Sequence, residues 1–156
     1  MRLSTAVASL TLLIGLIAQV EPTSSQANDV DGIKTANDAY YSALSAHDIS
    51  AMEKVWAKDG QVSNIFSAAK SPSFGLSAIR ADYEDLFKRL GSVSVVMTVP
   101  SVRQQGDLAL VTGVETAEGK LPNGEPVKFS PVATNVFVKQ DAQWLMIHHH
   151  TSRPPQ

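Results

Sequence analysis

The 156-residue sequence has no cysteine, few aromatic residues (6%) and few charged ones (18%), and its formal net charge at pH 7 is -2. Each shortage excludes a class of protein. Without cysteine there is no disulfide scaffold. With charge so low and nearly balanced, bulk electrostatics cannot hold a nucleic acid, so no nucleic-acid partner is expected. The 44% hydrophobic content is too high for a disordered chain. No repeat or low-complexity block follows residue 28, and the length fits one domain. Composition names no activity, so particular positions must.

The N-terminus reads as a targeting segment. Arg2 precedes an uncharged apolar run, Ala6 to Ala18, followed by Pro22 and the small-x-small triplet Ser25-Gln26-Ala27. A positive start, a short apolar centre and a small-residue site describe a secretory signal peptide. The run is shorter than the roughly 20 residues that span a membrane. Residues 1–27 are therefore expected to be removed, leaving 129 residues, 28–156, as one domain. The removed part carries Arg2 and Glu21, so the net charge stays at -2. A periplasmic or secreted location follows, with no membrane contact after cleavage. Small diffusing molecules are the expected partners, and no cofactor is expected. About 130 residues can hide roughly two thirds of the unfolded surface, enough for a core without disulfides.

Helical spacing dominates the first half of the mature chain. Ile33, Ala36, Tyr40, Leu44 and His47 recur at three- and four-residue steps after a candidate cap at Asp29. Asp48 caps a second, shorter helix through Ile49, Met52, Val55 and Trp56, ending before Gly60. An extended piece, Val62 to Phe66, and a loop at Ser71-Pro72-Ser73 lead to a third helix from about Gly75 to Leu90, with Gly91 as its stop. Asp59 reads as a turn residue after the second helix. Strand-rich segments follow at Val93–Val99, Leu108–Thr116, Val132–Lys139 and Trp144–Thr151, separated by turns at Gln105-Gly106-Asp107, Asn123-Gly124 and Gln140-Asp141-Ala142. Helices first and strands later predict an α+β domain with a mainly antiparallel sheet.

Strand parity separates two faces. One carries Ala109, Val111, Gly113 and Glu115, then Ala133, Asn135 and Phe137, then Leu145, Ile147, His149 and Thr151. Small residues mixed with isolated polar ones suit a cavity under the helices. The other carries Leu108, Leu110, Thr112 and Val114, then Val132, Thr134, Val136 and Val138, then Trp144, Met146, His148 and His150. It is also largely apolar, and a homodimer through this outer face is expected to cover it.

Several strings, in order, resemble the nuclear transport factor 2-like superfamily, in particular its SnoaL-like branch. They are Tyr40-Tyr41-Ser42-Ala43-Leu44 with His47-Asp48, Trp56-Ala57-Lys58-Asp59, Gly75 with Ala78-Ile79-Arg80, and Asn135-Val136-Phe137-Val138 running into Trp144 to Ser152. The ending is also similar to the association domain of calcium/calmodulin-dependent protein kinase II. The resemblance implies a cone-like curved sheet packed on three N-terminal helices with a pocket between them, and frequent dimers. It implies no single activity. Steroid isomerases of the superfamily use a helix-1 tyrosine as oxyanion donor, an aspartate after helix 2 as base and a late-strand aspartic acid as second donor. The resemblance puts Tyr40 at the tyrosine, Asn64 at the base and Asn135 within one residue of the late acid. An amide cannot take a proton near neutral pH, so the isomerase base is missing.

Candidate ligand-binding residues are therefore Tyr40, Trp56, Asn64, Glu115, Asn135 and His149, each with a plainer structural reading beside it. Tyr40 and Trp56 also suit a core, and the two asparagines suit satisfied buried amides. Glu115 shares the parity of Gly113 and Asn135, where burial would raise its pKa unless Arg80 or Arg103 paired with it. In the His148-His149-His150 run only His148 and His150 share a face. With no cysteine and only His47 besides, no metal site is expected. His149 is expected to face the pocket and to meet Glu115 across neighbouring strands. Three readings stay open at this level: a pocket domain binding a small, partly apolar organic molecule, an enzyme of isomerase, hydratase or hydrolase type using His149 or Glu115 as acid or base, and a non-catalytic assembly domain.

Overall fold

A computed structural model describes residues 24–58 and 60–153. The expected signal segment up to residue 23, and Asp59, lie outside the described residues. Three helices, α1 (Ser24–Ala46), α2 (Ile49–Val55) and α3 (Leu76–Arg89), enclose two short strands, β1 (Ser63–Ile65) and β2 (Ser73–Phe74), in chain order before α3. Five strands follow: β3 (Ser92–Gln105), β4 (Leu108–Lys120), β5 (Pro126–Phe129), β6 (Val132–Gln140) and β7 (Gln143–Ser152). They form one sheet in the order β2-β1-β7-β6-β4-β3, with β5 on the far half of β4. Among the described strands only β1 with β7 is parallel. The fold is α+β, three helices on a mixed, mostly antiparallel seven-stranded sheet. Among the described residues no helix is long and apolar enough to cross a membrane.

Capping explains where the helices break. Asp48 is extended and its carboxylate accepts the Ala51 N–H at 2.9 Å, starting α2 as its sequence suggests. His47, at φ 54, makes the turn between α1 and α2. Asp29 is not a cap: α1 begins earlier, at Ser24, and the Asp29 carboxylate instead pairs with Lys139 and accepts from Gln104 Nε2. Gly91 is not the stop of α3 either. Leu90 ends that helix in an extended conformation, and Gly91 has no side chain because a Cβ there would collide with the Lys120 carbonyl.

Two strands run longer than the sequence pattern suggests, and β5 escapes it altogether. Pro126 opens β5, and the strand is only four residues long, so its period is invisible and it sits at the edge where a missing N–H is harmless. The long hairpin of β3 and β4 is broken opposite Gly113 by Val99 and Pro100, with Val99 at φ 51. A second irregularity matters more for the site. Val136 pairs with His148 while Phe137 pairs with Met146, so Ile147 is an extra residue in β7. Before the bulge Trp144 and Met146 face inward; after it His149 and Thr151 do. The expected inward placement of Leu145 and Ile147 is thereby corrected, while that of His149 holds.

The inner face and the helices form the core around Ile33, Tyr40, Trp56, Ile79, Tyr83, Phe137 and Met146, all essentially inaccessible. Burying one such aromatic stabilises the fold by roughly 2–3 kcal/mol. The outer face keeps Val96, Leu108, Val114 and Val132 exposed.

Candidate functional site

Helix α1 turns one face towards the sheet, set by the steps from Ile33 to Asn37, Tyr40, Tyr41 and Leu44. Asn37, Tyr40 and Tyr41 bring an amide and two hydroxyls into a stripe that is otherwise apolar. Across from them, the Cα register of the sheet places Val111, Asn135, His149 and Asn64 in one row on β4, β6, β7 and β1. Glu115 lies further along β4, where that strand has left β6 and its N–H donates to the Pro131 carbonyl at 2.9 Å.

These residues form a continuous set of hydrogen bonds. Asn135 Nδ2 donates to Asn37 Oδ1 at 2.8 Å and to Tyr41 Oη at 3.2 Å. The Tyr41 hydroxyl donates to Glu115 Oε1 at 2.9 Å. Asn135 Oδ1 lies 2.7 Å from His149 Nδ1. The two ends nearly meet, with His149 Nε2 3.9 Å from Glu115 Oε1. Burial costs each charged form its hydration. It pushes the Glu115 carboxyl up to about 7 against the opposing effect of the Tyr41 hydrogen bond, and pushes His149 down to about 3, with His148 and His150 adding to the fall. His149 is therefore neutral at ordinary pH, and its approach to Glu115 is a contact of polar groups and not an ion pair.

Aromatic rings complete the surroundings. Tyr40 packs 4.9 Å and Phe66 6.1 Å from the His149 ring, and the Tyr83 hydroxyl donates to Tyr40 Oη at 3.0 Å. Desolvation raises the Tyr40, Tyr41 and Tyr83 hydroxyls well above the ordinary phenol range, so all three stay protonated.

A cavity of about 590 Å³ opens above this floor, a size that fits a small organic ligand. Tyr40, Glu115 and His149 line its depth, Leu44, Phe66 and Val95 give it apolar wall, and Lys70, Asp85, Arg89 and Arg153 also border it. Of the expected site residues, then, three line the cavity. Asn135 stands behind them, orienting His149 and Tyr41. Asn64 is buried beside the row; its Nδ2 reaches Asp82 Oδ2 at 3.4 Å and its Oδ1 has no protein partner. Trp56 is not on the cavity wall. It lies in the core, bridged to Met146 and flanking a small cleft between α2 and α3, because α2 turns that face inward. Neither Arg80 nor Arg103 pairs with Glu115: Arg80 bridges Glu53 and Glu84 at the surface, and Arg103 is exposed.

Asn37 and Tyr41, which hold Asn135 and Glu115 in place, were not among the candidate residues of the sequence. Their signal is present, since both interrupt the apolar stripe of α1 four residues apart. On the opposite face His148 Nδ1 meets Ser63 Oγ at 2.8 Å and its ring lies 6.3 Å from that of His150. Burial and the neighbouring His150 lower the His148 pKa. Among the described residues no cluster of three or more His, Asp or Glu side chains is arranged to hold a metal ion.

The profile of the SnoaL-like domain matches residues 33–156. The chain belongs to the SnoaL-like family. No curated protein matches the sequence. Solved structures share the fold of this SnoaL-like domain. A dehydratase candidate of the NTF2-like family from Streptomyces avermitilis is 24% identical, with a TM-score of 0.77 over 83% of this chain and 99% of that one. A candidate calcium/calmodulin-dependent protein kinase type II association domain from Thiobacillus denitrificans is 27% identical, with a TM-score of 0.69 over 78% and 94%. An aromatic ring hydroxylase candidate from Novosphingobium aromaticivorans is 18% identical, with a TM-score of 0.74 over 83% and 92%. Relatives of one shape with such different names leave function to the residues of the site.

Proposed function

We propose that this SnoaL-like domain is an exported, homodimeric pocket protein that binds a small, partly apolar organic molecule. The observation that carries this reading is the 590 Å³ cavity, with apolar walls and a floor of Tyr40, Glu115 and His149. Polar groups that converge in the depth of an otherwise apolar cavity fix a ligand's orientation, while the walls supply the burial. The Arg2-led apolar segment supports export, and the exposed apolar residues of the outer sheet face support pairing with a second copy. Native mass spectrometry of the protein purified from its own host tests the binding. A small-molecule adduct that displaces on heating is expected. A bare chain, together with no rise in melting temperature across a metabolite library, would overturn it.

A second reading, acid–base catalysis on the bound molecule, draws on one specific observation. Glu115 titrates near 7 and sits 3.9 Å from a neutral imidazole nitrogen at the same cavity wall. A carboxyl poised near the working pH is suited to giving or taking a proton. Turnover of the copurified compound that is lost in Glu115→Gln, with binding retained, is the result this reading expects. Steroid isomerisation is not proposed, because the position that the resemblance assigns to the base is Asn64.

A further inference from the structure

The hydrogen bonds of the cavity floor determine which atoms are left for a ligand. Asn135 uses both of its amide hydrogens, on Asn37 and on Tyr41. The atom it presents to His149 Nδ1 is therefore its carbonyl oxygen, which can only accept. A neutral imidazole carries one N–H, and here it must be Nδ1–H. Nε2 is left as a bare lone pair. Tyr41 receives the Asn135 N–H on its oxygen and gives its own hydrogen to Glu115 Oε1. Nε2 and Oε1 then face one another at 3.9 Å, too far apart for a hydrogen bond between them, on residues that both line the cavity. An oxygen atom above that gap would stand about 2.8 Å from each.

The chemistry of that atom is restricted. It must give a hydrogen to Nε2 and also meet a buried carboxyl. A carboxylate or ketone oxygen would set lone pair against lone pair at Nε2. An ammonium would have to give up its hydration at the foot of the cavity, beside a carboxyl that burial holds towards its protonated form. A hydroxyl gives one hydrogen to Nε2, accepts one from the Glu115 carboxyl when its proton sits on Oε1, and adds no charge.

We infer that the cavity selects neutral alcohols or phenols with an apolar body, seated with the hydroxyl between His149 Nε2 and Glu115. This rests on the proposed binding function and names the class of ligand for it. The test titrates the full mature protein at pH 6.5 with four probes of one shape: 2-naphthol, naphthalene, 2-naphthoate and 2-naphthylmethylamine. Nitrogen-15 spectra follow the cavity amides and the His149 ring. The expected result is 2-naphthol binding about ten-fold tighter than each of the others, the worth of the added hydrogen bonds. Its binding should move the Nε2 resonance and leave Nδ1 protonated. Naphthalene binding as tightly as 2-naphthol, or a preference for the acid or the amine, would overturn the hydroxyl selection while leaving a binding cavity. No response of the cavity amides to any probe would overturn the binding reading itself.

Discussion

His148 and His149 are consecutive in the chain and differ in almost every physical respect. His149 is 1% exposed, held by an amide on one nitrogen, surrounded by rings and neutral; His148 looks out of the opposite face, bonded to a serine and 6.3 Å from His150. The same contrast extends to the whole sheet. On its inner face Asn135, His149 and Glu115 are joined through Tyr41 and Asn37, whereas its outer face keeps Val96, Leu108, Val114 and Val132 open. A buried polar set is stabilising only when its members are satisfied, so each inner residue depends on the rest. Outer residues are independent until something covers them.

The largest expected effect comes from breaking the inner set at its centre. Asn135→Leu leaves the His149 Nδ1–H and Asn37 Oδ1 without partners, while Tyr41 keeps its bond to Glu115. At 1–3 kcal/mol for each stranded buried group, urea unfolding should show a loss of roughly 2–6 kcal/mol. A loss under about 1 kcal/mol would mean that the set is not a unit.

Next comes a pH effect of nearly the same size. Glu115 is raised from an ordinary 4.5 to about 7, so the folded protein holds a proton that the unfolded chain has lost, and stability falls as pH rises between those values. His149, lowered from 6.5 to about 3, acts in the opposite sense, and its contribution rises with pH from about 3 to 6.5. The two offset between about 4.5 and 6.5. Glu115→Gln removes the first, so its stability relative to the parent should increase by on the order of 3 kcal/mol between pH 4.5 and pH 8. Denaturation midpoints across that range measure it, and a gap that does not widen would contradict the buried carboxyl.

The outer face should respond in association and hardly in folding. Val114 and Val132 are paired neighbours there. Changing both to Lys should convert a dimer to a monomer by sedimentation velocity at micromolar concentration, with unfolding free energy altered by no more than about 1 kcal/mol. A parent that sediments as a monomer would remove the proposed interface. Smallest of all, His150→Ala should change stability by less than about 0.5 kcal/mol in the same assay.

Much of this contrast was legible in the sequence, and the reasons for the exceptions are local. Period and capping gave the three helices, and alternation gave Glu115, Asn135 and His149 on one face, because strand parity is strict wherever pairing is regular. Parity failed at Leu145 and Ile147, where one extra residue shifts β7 by a step that no local residue type announces. β5 was too short to display a period. Asp29 has the side chain of a cap but is paired with Lys139, more than a hundred residues away, a contact that no window along the chain contains. Trp56 was drawn towards the site by its size and chemistry, yet the direction of its ring depends on how α2 packs. Asn37 and Tyr41 were passed over because a polar residue on a helix stripe has meaning only once its partner on the sheet is known.

The central claim is that the inner face holds His149 neutral, with Nε2 bare and turned to the cavity beside Glu115. A nitrogen-15 titration of the histidine side chains from pH 8 to pH 4 tests it directly. The account predicts that the His149 ring keeps its proton on Nδ1 and does not titrate anywhere in that range. A His149 that gains charge near pH 6.5, or that carries its proton on Nε2, would contradict it.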